Sequence, residues 1–169
     1  MTNSTTYSLR KIVPHLYPGN DPEETRRITR KLQNLVTPGL LHPIPAPHGG
    51  RGVHHRYSQY ELYKARTLLE MEQFQIPNTV LRLIANLFDD CNPDHKSALT
   101  RDSSSRTKIK QKLRKMMSDA ITGKCDILLV INSNTSSGLQ ANLSTSAQFK
   151  PTWRSAIVLN LTEIIRTVR

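Results

Sequence analysis

Residues 39–62, GLLHPIPAPHGGRGVHHRYSQYEL, decide how the first half of this chain is interpreted. Two short segments, Leu41–Ile44 and Val53–Tyr57, flank a tip rich in proline and glycine. Two short strands joined by such a tip are the pattern of a β-hairpin. The tip and the second strand carry cationic or ionisable side chains, namely Arg51, His54, His55 and Arg56. The sequence therefore predicts an exposed, cationic hairpin.

A helix is predicted immediately before this hairpin. Asp21 can accept backbone N–H groups as the N-cap, Pro22 suits the first helical position, and Glu24 fits a capping box. The helix is expected to run to about Val36 and to stop at Pro38-Gly39.

The faces of this helix differ in character. The apolar face comprises Ile28, Leu32, Leu35 and Val36. The opposite face comprises Arg26, Thr29, Arg30 and Gln33. Arg and Gln can read base edges in the major groove of DNA, and Thr and Arg can hold phosphates. An ordinary solvated surface is the alternative interpretation of this polar face.

Three further helices are predicted around these elements. The first spans residues 8–17, the third runs from Gln59 to about Phe74, and the fourth from Asn78 to Phe88. Ser58 and Glu61 are placed as a capping box for the third. A cationic hairpin beside two consecutive helices is the layout of a wing that lies along a phosphate backbone.

Several motifs over residues 7–88 resemble the mercury-resistance-regulator (MerR) family of transcription factors. They are Tyr7-Ser-Leu9, the Gly39-Leu-Leu41 exit followed by Pro43, the Arg56-Tyr-Ser58 junction, and the segment from Met71 to Pro77. The resemblance implies a winged helix-turn-helix that reads a two-fold DNA site as a dimer. Gln33 stands where the family commonly has Arg. The chain also lacks the long heptad helix through which the family often dimerises.

Residues 89–106 are predicted to be a flexible linker, and residues 107–169 a small α+β module. Its helix, 107–122, has an apolar side, from Ile109 to Ile121, and a basic side. This helix is expected either to pack on its own domain or to pair with a second copy. The strands are predicted at 125–131, 139–145 and 155–160, with a closing helix at 161–168. The module is expected to dimerise, with a protein or small-molecule effector as a possible further partner.

The amino-acid composition favours some classes of function and excludes others. Lys and Arg number 24 against 13 Asp and Glu, a net charge of +11, which predicts attraction to a polyanion. Aromatic content of 5% speaks against single-strand binding by base stacking. No apolar run approaches the ~20 residues of a membrane span, and the start lacks a signal-peptide pattern. We therefore expect a cytoplasmic, nucleoid-associated protein without membrane contact.

No cofactor, metal or catalytic site is expected. His54 and His55 are adjacent on a predicted strand and so point to opposite faces. The two cysteines, Cys91 and Cys125, are far apart in sequence and are expected to be free thiols. No phosphate-binding loop, nucleophile motif or acidic metal cluster is present, so the chain is predicted not to be an enzyme.

The predicted fold is mostly α with a β-hairpin wing, a winged helix-turn-helix over residues 1–88, followed by the small α+β module. The predicted function is sequence-specific binding of double-stranded DNA by a homodimeric transcription regulator. Two alternatives stay open: a phage or plasmid excisionase- or partition-type DNA-architectural protein, and an RNA-binding module.

Overall fold

The computed structural model describes residues 6–17, 19, 21–44, 55–92, 104–134, 138–145 and 156–168. By its internal contacts the chain divides into two compact units. Unit 1 is Met1–Ile76 with Thr167–Arg169, and unit 2 is Pro77–Arg166. No helix in the described ranges is both long enough and apolar enough to cross a membrane.

Unit 1 contains three helices and two short strands. In chain order they are β1 (Thr6–Ser8), α1 (Leu9–Leu16), α2 (Pro22–Val36), β2 (Arg56–Ser58) and α3 (Gln59–Gln73). The predicted start of α2 is confirmed, because the Asp21 carboxylate accepts the Glu23 backbone N–H at 3.0 Å and Pro22 opens the helix. The predicted end is confirmed too, with Gly39 at φ +72° just beyond it. Glu24, predicted to complete a capping box, has both carboxylate oxygens on Arg27 instead.

The core of unit 1 is formed where α1, α2 and α3 contact one another. Each helix turns one side toward this core, and the residues on that side are at most 8% exposed. They are Ile12, Val13 and Leu16 in α1, Ile28, Leu32 and Leu35 in α2, and Leu62, Leu68 and Met71 in α3. The Arg66 guanidinium of α3 donates to the Leu16 carbonyl, which satisfies one of the acceptors left open at the end of α1.

The short sheet of unit 1 differs from the predicted hairpin. β2 pairs in antiparallel fashion with β1, Tyr7 opposite Tyr57, and β1 was not predicted from the sequence. Of the predicted strand 41–44, only Ile44 pairs, donating its N–H to the Arg56 carbonyl at 2.7 Å. The prediction of a four-residue strand was wrong because the His42 N–H is bonded to a side chain and Pro43 has no N–H to donate. Residues 45–54 lie outside the described residues.

A buried ion pair within α3 also bonds the segment that precedes the predicted wing. The Ser58 hydroxyl accepts the Glu61 N–H at 3.3 Å, as predicted for an N-cap. The Glu61 carboxylate accepts the His42 N–H at 2.9 Å and pairs with the Lys64 ammonium at 2.8 Å. The Glu61 and Lys64 side chains are only 4% and 1% exposed. The segment leading into the predicted wing is thereby attached to α3.

Unit 2 is an α+β arrangement, as predicted. Its elements are α4 (Asn78–Cys91), α5 (Ser104–Ile121), β3 (Ile127–Asn134), β4 (Gly138–Thr145), β5 (Ala156–Asn160) and α6 (Leu161–Thr167). The strands form an antiparallel sheet in the order β4-β3-β5. Gly123 follows α5 at φ +77°, and the Asn160 side chain caps α6 by accepting the Glu163 N–H at 3.3 Å.

The division between the units falls after Ile76, whereas the sequence analysis placed the domain boundary after residue 88. The reason is that α4 contacts α5 and β4. Arg114 of α5 donates to the carbonyls of Asp90 and Asn92, and Lys110 pairs with Asp90 at 3.3 Å. The predicted linker 89–106 is helical at both ends, since α4 continues to Cys91 and α5 begins at Ser104. Its centre, 93–103, lies outside the described residues.

The core of unit 2 is centred on β3. Ile127, Leu129, Val130 and Ile131 are at most 3% exposed. The Thr162 hydroxyl of α6 accepts the Ile127 N–H at 2.8 Å, which ties α6 to the start of β3. Helix α5 contacts α4, β3 and β4 and buries Met117 and Ala120 at 1% exposure. Of the two arrangements left open for this helix, the structure therefore shows packing on its own unit.

Candidate nucleic-acid interface

The outer face of α2 carries the principal polar surface predicted from the sequence. Arg26, Arg30 and Gln33 are exposed and are spaced i, i+4, i+7, so they form a stripe about 10 Å long. The opposite side of the helix holds Leu32 and Leu35, at 0% and 2% exposure. Burial of that side fixes the rotation of α2 and turns the stripe to solvent.

Two of the four cations of α2 have a carboxylate partner, and two have none among the described residues. Arg27 is hydrogen-bonded to Glu24, and Lys31 pairs with Glu72 of α3 at 3.5 Å. Arg26 and Arg30 have no carboxylate partner among the described residues. The neutralised cations thus lie on the flank of the helix, while the guanidinium groups on its outer face are available to an external acceptor.

The contact between Arg27 and Glu24 shifts the pKa values of both groups. The hydrogen bond from Arg27 holds the pKa of the Glu24 carboxyl below its usual value. The same hydrogen bond raises the pKa of the Arg27 guanidinium. Because each group holds the other in its charged form, Arg27 is less available to a phosphate than Arg26 or Arg30.

Thr29 is less open than the sequence analysis expected. It is half-buried, and its hydroxyl donates to the Thr25 carbonyl at 2.8 Å. A hydroxyl has a single donor, so in this geometry Thr29 cannot also donate to a phosphate oxygen. The lone pairs of the hydroxyl stay available to accept a hydrogen bond, for example from a base amino group.

A depression of about 430 Å³ between α1 and α2 brings three of the predicted residues together. Arg26, Thr29 and Arg30 line it with Val13 and Thr25. Thr25 was missed by the sequence analysis, although its position one turn before Thr29 was the signal that could have found it. The depression places two guanidinium groups beside two hydroxyls at the junction of consecutive helices.

The predicted wing is described only at its second strand. His55 is exposed before β2, and Arg56 is exposed within it, opposite Ser8 on one side and Ile44 on the other. Arg51 and His54 lie outside the described residues. The pairing of the Arg56 backbone with two neighbouring segments fixes its Cα, so its side chain starts from a rigid base.

In the part of the chain that the structure describes, no three His, Cys, Asp or Glu side chains lie close enough to hold a metal ion. Both cysteines are free. Burial raises the pKa of the Cys91 thiol to about 12, so that thiol stays protonated near neutral pH. Burial also raises the pKa of Cys125.

No model of a known protein family matches the chain, and no curated protein matches its sequence. Function is therefore inferred from the arrangement of side chains in unit 1.

Proposed function

We propose that this protein is a homodimeric transcription regulator that binds double-stranded DNA sequence-specifically, in the cytosol at the nucleoid. Unit 1 is proposed to act as a winged helix-turn-helix of the MerR type, with α2 as recognition helix and the predicted hairpin, residues 41–57, as wing. One observation carries the proposal: on the outer face of α2, Arg26 and Arg30 lack a carboxylate partner among the described residues, whereas Arg27 and Lys31 are neutralised on its flank.

The chemistry of the outer face favours reading of bases over a purely electrostatic contact. A guanidinium makes two parallel hydrogen bonds to the O6 and N7 of guanine, and Gln makes a similar pair with adenine. A stripe about 10 Å long on one helix matches a major groove about 12 Å wide. Arg30 lies in the middle of the stripe, one turn from Arg26 and about one turn from Gln33.

Affinity for the duplex is proposed to come from the general charge of the chain and from the wing. A net charge of +11 attracts the phosphate backbone whatever its sequence. Arg51 and Arg56 are proposed to contact phosphates, while Arg30 is proposed to contact a base. Such a separation of roles predicts that substitutions in the two places have different consequences.

The experiment is a selection of bound sequences from randomised duplexes with wild type, Arg30→Ala and Arg30→Lys. Arg30→Ala is expected to relax preference at one base pair per half-site by roughly ten- to hundredfold, which corresponds to about 1–3 kcal/mol. Arg30→Lys keeps the charge but loses the planar fork, so its preferences should match those of Arg30→Ala.

Arg27→Ala is the matched control, since it removes a cation from the same helix that is already paired with Glu24. It should leave the selected sequence unchanged. Recovery of the wild-type preference by Arg30→Lys would assign Arg30 to a phosphate and contradict the proposed base contact. Absence of any selected sequence with the wild-type protein would contradict the proposed function as a whole.

A further inference from the structure

The sheet of unit 2 has an apolar outer strand. Among the described strands β5 lies at the edge, next to β3. Its Ile157 and Val158 are 39% and 38% exposed. Because successive side chains of a strand point to opposite faces, apolar surface is open on both sides of this edge. A helix packed on one face would cover only one of the two residues, whereas an added strand would cover both.

The five residues of β5 carry no charge, proline or bulge that would keep an edge strand from pairing. Proteins usually protect such edges with lysine, proline or a bulge. The strand Ala156-Ile-Val-Leu-Asn160 contains no charge and no proline, in a chain with 24 Lys and Arg. Its pairing with β3 is regular over all five residues. The other outer strand, β4, contacts α4 and α5.

Helix α5 is poorly suited to join two copies. Its apolar side is occupied within unit 2, and Ile109 is its large apolar residue left well exposed, at 59%. Lys108, Lys112 and Lys115 are exposed with spacing i, i+4, i+7, so they form one cationic stripe. Two copies that met along this stripe would oppose like charges, whereas two copies that met at β5 would not.

We propose that two copies of this chain pair through β5, antiparallel about a two-fold axis at Val158, to form a continuous six-stranded sheet. The inference rests on the homodimer of the proposed function and specifies its interface. In this register Ile157 lies opposite Leu159 of the partner subunit, and Val158 lies opposite its own copy. Along an edge strand, the backbone N–H and C=O groups of every second residue point outward. Whether these groups belong to Val158 or to Ile157 and Leu159, a two-fold axis at Val158 places each of them opposite a hydrogen-bonding group of the other copy.

The test is the oligomeric state of the full chain at micromolar concentration, measured by sedimentation equilibrium. Wild type is expected to be a dimer. Val158→Lys places two ammonium groups directly opposite each other and should raise the dimer Kd by at least about tenfold. Asn142→Lys is the matched control, because Asn142 is exposed on β4 at the other side of the same sheet. It should dimerise like wild type, and so should Val158→Thr.

Cross-linking provides a second measurement that does not disturb the fold with a charge. In a Cys125→Ser background, Val158→Cys should form a covalent dimer on mild oxidation, because directly opposite residues bring their Cβ atoms to about 4.5–5.5 Å and a small movement of the two strands reaches the distance of about 4 Å that a disulfide needs. Asn142→Cys in the same background should stay non-covalent.

The outcomes separate this inference from the proposed function. A dimer that Val158→Lys leaves intact, or that Asn142→Lys weakens equally, would overturn pairing through β5 while leaving DNA binding and dimerisation standing. A monomeric wild type would overturn both the interface and the proposed homodimer. Base preference measured with the Arg30 variants does not depend on either result.

Discussion

Glu61→Gln is expected to destabilise unit 1 strongly. In the wild type the Glu61 carboxylate pairs with the Lys64 ammonium at 2.8 Å and accepts the His42 N–H at 2.9 Å. The Lys64 side chain is 1% exposed, so water cannot replace the lost charge. The amide of the substituted side chain can still offer its oxygen to the His42 N–H, but its NH2 then faces the Lys64 ammonium, so Lys64 loses both the opposite charge and a hydrogen-bond acceptor.

The magnitude follows from this burial. Removal of one partner of a buried ion pair costs about 3–5 kcal/mol, and the retained His42 hydrogen bond together with the remaining interactions of Lys64 favours the lower end, about 3 kcal/mol. For a unit of this size each kcal/mol lowers Tm by about 4–8 °C, so a fall of roughly 12–24 °C is expected. Lys64→Met should destabilise similarly. The double variant should recover most of the loss, because no charge stays buried.

The assay is urea and thermal unfolding of the full chain, followed by circular dichroism, for both single variants and the double variant. Glu24→Gln is the control, since it removes a carboxylate from an exposed pair on α2 and should leave Tm unchanged. A loss below about 1 kcal/mol for Glu61→Gln, the size typical of an exposed pair, would refute the reasoning. A double variant no more stable than the single variants would refute it equally.

Further outcomes are expected for three residues. Arg56→Ala should weaken all duplexes alike and reduce the slope of log K against log salt by about one, and a changed base preference would contradict a phosphate contact. Asp21→Ala should cost about 1 kcal/mol of unfolding free energy and Asp21→Asn almost nothing, because Asn also caps helices. Cys91, with a pKa of about 12 against an ordinary 9.0, should react with a thiol reagent at pH 8 roughly a thousandfold more slowly than an unfolded thiol. Because folding raises the pKa of Cys91, the protonated thiol contributes its full stability below about pH 9, and this contribution is lost as the pH rises towards about 12. Unfolding curves measured across that pH range would show the loss.

Local signals in the sequence determined where the helices begin and which sides they bury. Asp21-Pro22 opens α2, Ser58 opens α3, and Gly39 and Gly123 end α2 and α5 at positive φ. These signals act over one turn of chain, so they can be read without knowledge of distant residues. The same holds for the outer face of α2, whose rotation follows from the apolar period alone.

Only the tertiary structure decided which distant groups meet. β2 pairs with β1, some 50 residues earlier, and β1 is too short to carry a strand pattern of its own. α4 belongs with α5 and β4, and α5 buries its apolar side within unit 2. The sequence could name the cations of α2, but only the placement of Glu72 on α3 neutralises Lys31 and leaves Arg26 and Arg30 unpaired among the described residues. Strand pairing and charge pairing depend on contacts between separate elements, and the local periodicity of a sequence carries no information about those contacts.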